Sequence, residues 1–242
     1  GEIADPVLGR PVERGLHDEL TGSAYAVIDG ADGRTHHLRF DDIDMTGDAK
    51  RGAIVELRSW EDAKGRQRLS LATRSDLPLE AQVTAPGATW LDRQLIAREP
   101  AATGAGFGQE IREATEARID YLAGEGLARR QGQRVIFARD LIETLKTRDL
   151  DAAVARITER TGLPHRPSAA GELVTGTYRE RLTLASGRFA MIESVGPGGE
   201  LGFQLAPWRP ALDQHLSQHV TGTMTPGGRV DWTMGRRRGL GL

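Results

Sequence analysis

The chain has 242 residues, 38% of them hydrophobic and 27% charged, which suits a folded globular protein and excludes a disordered one. Its 32 Lys/Arg stand against 34 Asp/Glu, a net charge of −2, so it is no polycation that would coat nucleic acid indiscriminately. There is no cysteine, which excludes disulfides, zinc–thiolate sites and a cysteine nucleophile. No apolar run approaches the roughly 18 residues of a membrane span.

The opening, GEIADPVLGRPVERG, has no initiator Met and is expected of a piece of a longer polypeptide. Residues 1–85 read as a first β domain. In AYAVIDGADGRTHHLRF, alternating runs at Tyr25–Ile28 and Thr35–Phe40 flank a Gly- and Asp-rich turn, a hairpin signal. GAIVELRSW and QRLSLATR make a second pair around Lys64 and Gly65. Short strands at regular spacing predict a small barrel or sandwich, of which the barrel is the expectation taken forward. With 11 Lys/Arg against 16 Asp/Glu, this domain is acidic.

Residues 86–167 read as helical, with 13 Lys/Arg against 12 Asp/Glu. ATWLDRQLIARE places Trp90, Leu91, Leu95 and Ile96 near one face. Ile111, Thr115, Ile119 and Leu122 recur at helical spacing, and Gly124 and Gly126 close that helix. A third helix starts after Asp140, a capping residue type, and stops before Pro164. Residues 168–242 return to short alternating runs around Gly-rich turns and predict a second small barrel. This last segment has 8 Lys/Arg against 6 Asp/Glu, three of the cations in GRRRGLGL.

Between the second and third helices lies EGLARRQGQRVIFARDL, two short runs around Gly132. Helix, hairpin, helix is the order of a winged helix-turn-helix. The fold expected is therefore α+β, with an N-terminal small β barrel, a central winged-helix-like helical domain and a C-terminal small β barrel. Arg129, Arg130, Arg134 and Arg139 lie on or beside the hairpin, where guanidiniums can clamp phosphates through their planar forks of donors. The same pattern also marks winged-helix folds that serve as spacers or dock proteins. The helix before the hairpin carries Glu110, Glu113, Glu116 and Asp120 against Arg112 and Arg118, poor chemistry for a major groove, so no base readout is expected from it.

Other constellations are sparse. His36 and His37 are adjacent on a strand and point to opposite faces. His215 and His219, four apart, suit one helix face but lack a third metal ligand nearby. Tyr121 sits at the edge of an apolar helix face, where amphipathic tyrosines belong, with no histidine cluster beside it. GPGGELGF and TPGGR are turn chemistry rather than phosphate loops, and no Gly-x-Ser-x-Gly elbow is present. No catalytic residue, metal or cofactor is assigned. In the basic last segment, Phe203, Trp208 and Trp232 are candidates for stacking bases, with Arg209, Arg236, Arg237 and Arg238 on phosphates. The alternative for those aromatics is a barrel core, and for the terminal arginines a solubilising tail.

Several stretches carry a family resemblance: RGLHDELTGSAYAVIDGADGRTHHLRF, RSDLPLEAQVTAPGATWLDRQLIARE, GFGQEIREATEARIDYLAGEGLARRQGQRVIFARDLIETL, ASGRFAMIES, LGFQLAPWRPAL and VDWTMGRRRGLGL. Together they resemble the C-terminal region of plasmid conjugative relaxases, the mobilisation nucleases of proteobacteria, downstream of the nuclease domain. The resemblance implies a region without the relaxase's tyrosine nucleophile or histidine-bound metal, and so no enzyme in itself. It implies accessory DNA binding, single-stranded or duplex, at the transfer origin, with a bacterial cytoplasmic location and translocation alongside the transferred strand. The alternative it implies is a docking or translocation-signal module meeting relaxosome proteins and the type IV coupling protein.

Overall fold

The computed structural model describes residues 7–233. They divide into two compact units, with the boundary between Arg148 and Asp149.

The first unit opens with strands β1 (Leu8–Asp18), β2 (Ser23–Gly30), β3 (Thr35–Phe40), β4 (Ile54–Glu61) and β5 (Gln67–Ser75). They form one antiparallel sheet in the order β3-β2-β1-β4-β5. Alternation drives the pairing: Ala24, Ala26 and Ile28 of β2 are buried, while the residues between them are only half-buried. Phe40, Val55 and Leu71 complete that inner face. Helices α1 (Leu79–Val83), α2 (Trp90–Ile96) and α3 (Phe107–Gly124) follow. Leu79, Trp90, Leu91, Phe107 and Ile111 from these helices share one core with Ala31 and Ile54 of the sheet region. Hairpin β6 (Ala128–Gln131) and β7 (Arg134–Phe137) comes next, then α4 (Leu141–Thr161).

The second unit is built on β8 (Leu173–Leu184), β9 (Gly187–Val195), β10 (Leu201–Pro207), β11 (His219–Met224) and β12 (Val230–Thr233). Their antiparallel order is β10-β9-β8-β11-β12. One face buries Val174, Tyr178, Ile192, Leu212, Val220 and Val230. Ala153 and Ile157 of α4 cover the other face, packing on Phe189, Met191 and Phe203. Burial from both sides explains why β9 is buried without alternation from Phe189 to Ile192.

The barrels and the winged helix expected from sequence do not form among the described residues. Both five-stranded sheets are open, with edges at β3 and β5 in one and at β10 and β12 in the other. Strand count and turn spacing, which suggested closure, carry no information on whether edge strands meet. The helix–hairpin–helix order is present, but Leu79, Trp90, Leu91, Phe107 and Ile111 of α1, α2 and α3 pack on the core shared with the first sheet, whereas Leu95 of α2 and Leu122 of α3 turn to the hairpin and α4. No winged-helix module of its own results. The fold is α+β only in the loose sense of antiparallel sheets with a few helices. No helix among the described residues is long and apolar enough to cross a membrane.

Candidate nucleic-acid interface

The β6–β7 hairpin turns through Gly132 and Gln133, with Gln131 paired to Arg134. Gly132 has φ of 61°, which a glycine adopts without penalty at the first position of a two-residue II′ turn. Cross-strand pairing then sorts the side chains. Ala128 pairs with Phe137 and Arg130 with Val135 on one face, while Arg129 pairs with Ile136 and Gln131 with Arg134 on the other. The first face looks inward: Ala128 and Phe137 pack beside Leu122, Leu127, Leu141 and Leu145. Arg130 on this face reaches α3, donating to Glu116 Oε2 and Asp120 Oδ1, each at 3.0 Å. Those two acids raise the proton affinity of its guanidinium further.

The outward face therefore carries Arg129, Gln131, Arg134 and Ile136, all exposed. Arg139 is also exposed, just before α4. None of Arg129, Arg134 and Arg139 meets an acidic side chain among the described residues. Of the four hairpin arginines singled out from sequence, three present uncompensated charge to solvent, and Arg130 is neutralised by the helix.

The hairpin rests on α3, and Arg118 anchors α3. Its side chain has no exposed surface. Nε and Nη2 donate to Asp92 Oδ1 and Oδ2, both at 2.8 Å. Nη1 donates to the carbonyls of Gln82, Val83 and Ala85 at 3.0, 3.1 and 2.7 Å, and Nη2 to that of Gly87 at 2.9 Å. Asp92 also accepts from the Thr89 backbone at 2.7 Å, closing the capping box of α2. The ring of Tyr121 lies 4.8 Å from the Arg118 guanidinium carbon, which gives that tyrosine a packing role. Arg112, the other arginine of α3, donates to Thr103 and Gly104. What α3 shows to solvent is acidic: Glu113, Glu116 and Asp120.

In the second unit the three aromatics fare differently. Phe203 has no exposed surface and stacks at a tilt on His165, with ring centroids 5.2 Å apart, so it offers no face to a base. Trp208 is half-buried against the core, and its Nε1 donates to the Tyr178 hydroxyl at 3.1 Å. The guanidiniums of Arg181 and Arg188 lie 4.9 and 5.5 Å from its ring centroid, and Arg209 beside it is exposed. Sequence reasoning missed Arg181 and Arg188. The signal was available in RERLTLASGR, where a hairpin at Ser186 brings Thr183 opposite Arg188. Trp232 is half-buried across from Gly222, and its Nε1 finds no hydrogen-bond partner among the described residues. Arg236, Arg237 and Arg238 lie outside the described residues.

The histidine pairs do not converge. His215 sits in a 3-10 turn and contacts Gln218 Oε1 at 3.2 Å, while His219 lies on β11 and contacts Thr175 Oγ1 at 3.1 Å. His36 turns to Asp32 at 3.0 Å. Among the described residues, no group of three or more His, Asp and Glu is placed to hold a metal ion.

Compared with known protein families, residues 1–66 and 57–241 match a model described as a protein of unknown function, DUF3363. A comparison with curated proteins finds no match.

Proposed function

The chain belongs to the DUF3363 family, and from that premise we propose that it is a non-catalytic DNA-contacting module whose arginine hairpin grips the phosphate backbone. The observation that carries this reading is the outward face of β6–β7, where Arg129 and Arg134 stand uncompensated beside Gln131, with Arg139 following. From Gly126 to Arg139 the chain holds four arginines and no acid. The planar guanidinium fork loses less freedom per hydrogen bond formed than a flexible ammonium does, and its geometry suits two phosphate oxygens at once. Binding by such a face is weak, blind to sequence and sensitive to salt. Two or three phosphate contacts give a log–log salt slope of about −2 to −3. The setting we propose, on the sequence resemblance alone, is plasmid DNA processing and transfer by a conjugative relaxase, to which this chain would be an accessory region.

A second reading, docking to a basic protein of the relaxosome or secretion machinery, is favoured by the acids of α3 and by Ile136, which is 43% exposed in the middle of the hairpin face.

Fluorescence anisotropy of labelled single-stranded and duplex oligonucleotides, titrated across a salt series, decides between them. Saturable binding that weakens steeply with salt and is lost in Arg129→Ala/Arg134→Ala/Arg139→Ala supports the hairpin. Loss only in Arg236→Ala/Arg237→Ala/Arg238→Ala moves the contact to the C-terminal arginines. Absence of binding at about 50 mM salt, where phosphate contacts are strong, overturns the DNA reading in favour of docking.

A further inference from the structure

The second sheet repeats the design of the first. With β8 to β12 counted from the start of their own unit, both sheets run in the order third, second, first, fourth, fifth strand, and in both a 3-10 turn joins the third strand to the fourth. The long first strands match in detail. A Cβ at Gly9 would stand 2.3 Å from the carbonyl oxygen of Asp29, and one at Gly176 would stand 2.1 Å from that of Glu193. Each of these glycines pairs with a valine of the fourth strand, Val55 or Val220. A bulge follows, and beyond it come Glu13 and Arg14 in one sheet, Glu180 and Arg181 in the other. Arg14 stands opposite Ala26 of the second strand and Arg181 opposite Ala190, so AVID in β2 corresponds to AMIE in β9.

Where one scaffold is used twice, a place at which its chemistry changes points to something other than folding. Two residues before that alanine, the first sheet sets Ala24 opposite Phe40, both buried, and follows Phe40 with Asp41. The second sheet has Arg188 there, whose carbonyl accepts from the Trp208 amide at 2.9 Å, and follows Trp208 with Arg209. A buried apolar pair and an acid are thus replaced by a guanidinium, a half-buried indole and an exposed guanidinium. The first-strand arginine changes its contact as well. Arg14 donates to Thr46 and Gly47 at the 3-10 turn, whereas the Arg181 guanidinium lies 4.9 Å from the Trp208 ring centroid, beside that of Arg188 at 5.5 Å. Around these strands Asp149, Glu180 and Glu193 accept from Ser186, Arg160 and Arg179. Asp213 in the 3-10 turn sets one carboxylate against three guanidiniums.

We propose that this end of the second sheet binds single-stranded nucleic acid, with one base stacked on the layer of indole and guanidinium and the flanking phosphates on Arg181, Arg188 and Arg209. Bases stack on aromatic rings and on guanidinium planes alike, and a single strand offers them unpaired. A duplex keeps its base faces covered by their neighbours, so this site discriminates between strand states, which phosphate contacts alone do not. The site adds a second contact to the DNA reading above. It uses none of the hairpin's residues, so either contact can fail while the other stands.

The test is fluorescence anisotropy with the whole chain carrying Arg129→Ala/Arg134→Ala/Arg139→Ala, which removes the hairpin's outward charge. The probes, at about 50 mM salt, are a labelled thymidine oligomer, an abasic oligomer with the same number of phosphates, and the thymidine strand in a duplex. The thymidine oligomer is expected to bind about five- to tenfold tighter than the abasic one, as one stacked base implies, and tighter than the duplex. Arg188→Ala/Trp208→Phe/Arg209→Asp then installs the residues that the first sheet carries at the same places, with an unchanged urea midpoint as the check on folding. This exchange is expected to abolish the preference for bases. Arg209→Ala, an exposed change outside the core, is expected to weaken the thymidine strand several-fold even if the exchange unfolds the sheet. A ribose oligomer that binds tighter than its deoxyribose counterpart identifies RNA as the source, and equal or weaker binding identifies DNA; both support a single-stranded site. Equal binding of thymidine and abasic strands, a preference that survives the exchange, or no binding at all overturns the proposal. Loss of duplex binding on removing the hairpin charge bears on the hairpin alone.

Discussion

Every donor of Arg118 is committed, and that makes it a residue whose removal should be felt far beyond its own contacts. Arg118→Leu leaves Asp92 as a buried charge without its counterion and strips the donor from four carbonyls between Gln82 and Gly87. Breaking such a pair by removing one partner costs about 3–5 kcal/mol. Because Asp92→Ala removes the same interaction from the other side, the double variant should lose clearly less than the two single losses added. Urea midpoints of the three variants check this, and strict additivity would show that the pair is not coupled. His165 bears on pH. Burial beside Phe203 lowers its proton affinity, with Asp151 opposing in part. The unfolded chain then takes up the proton more readily than the folded one. Stability is complete above the ordinary histidine value of about 6.5 and declines as the pH falls below it. Thermal unfolding between pH 5 and 8 should show that decline, and His165→Gln should flatten it.

At the scale of elements, the hairpin and α3 act on each other through charge. Glu116 and Asp120 hold Arg130 to the helix and also set negative charge beside the outward arginines. Glu116→Gln/Asp120→Asn should therefore raise DNA affinity several-fold at about 50 mM salt, with the gain shrinking at higher salt as screening sets in. Unchanged or weaker anisotropy binding would mean that DNA does not approach this side of the hairpin. The hairpin's turn was legible in sequence from Gly132, and its four arginines could be counted there. Which of them faces inward was not legible, because parity along a four-residue strand has no meaning until the buried face is known. Ala128 and Phe137, packed on Leu122 and Leu145, decide that face. Trp208 could be singled out in sequence as an aromatic in a basic stretch, open to either base stacking or a core, whereas its half-burial and its two guanidinium neighbours, which come from a different hairpin, could not.

For the molecule as a whole, one helix serves two cores. Leu141 and Leu145 of α4 belong to the core under the β6–β7 hairpin, and Ala153 and Ile157 to the core against β9 and β10. Its buried Asp149 accepts both the amide and the hydroxyl of Ser186 at 2.9 Å, fixing the β8–β9 turn. A helix with apolar residues for two partners reads in sequence as one long amphipathic segment, so neither partner is visible from its periodicity. The openness of both sheets has a similar origin. Strand number and turn spacing are local properties, while closure depends on whether β3 and β5, or β10 and β12, come within bonding reach.

By itself the sequence determined the local elements and the chemical inventory: alternation set β2 and β3, helical spacing set α3, glycine set the hairpin turn, and composition excluded thiol chemistry. Only the tertiary structure decided which charges meet. Arg118 found Asp92, Arg130 found two acids, and a one-residue bulge turned His17 toward Arg39. The physical reason is that backbone hydrogen bonding and burial patterns act over a few residues and are written in order along the chain. Charge pairing acts between residues far apart in sequence, and its outcome waits on packing.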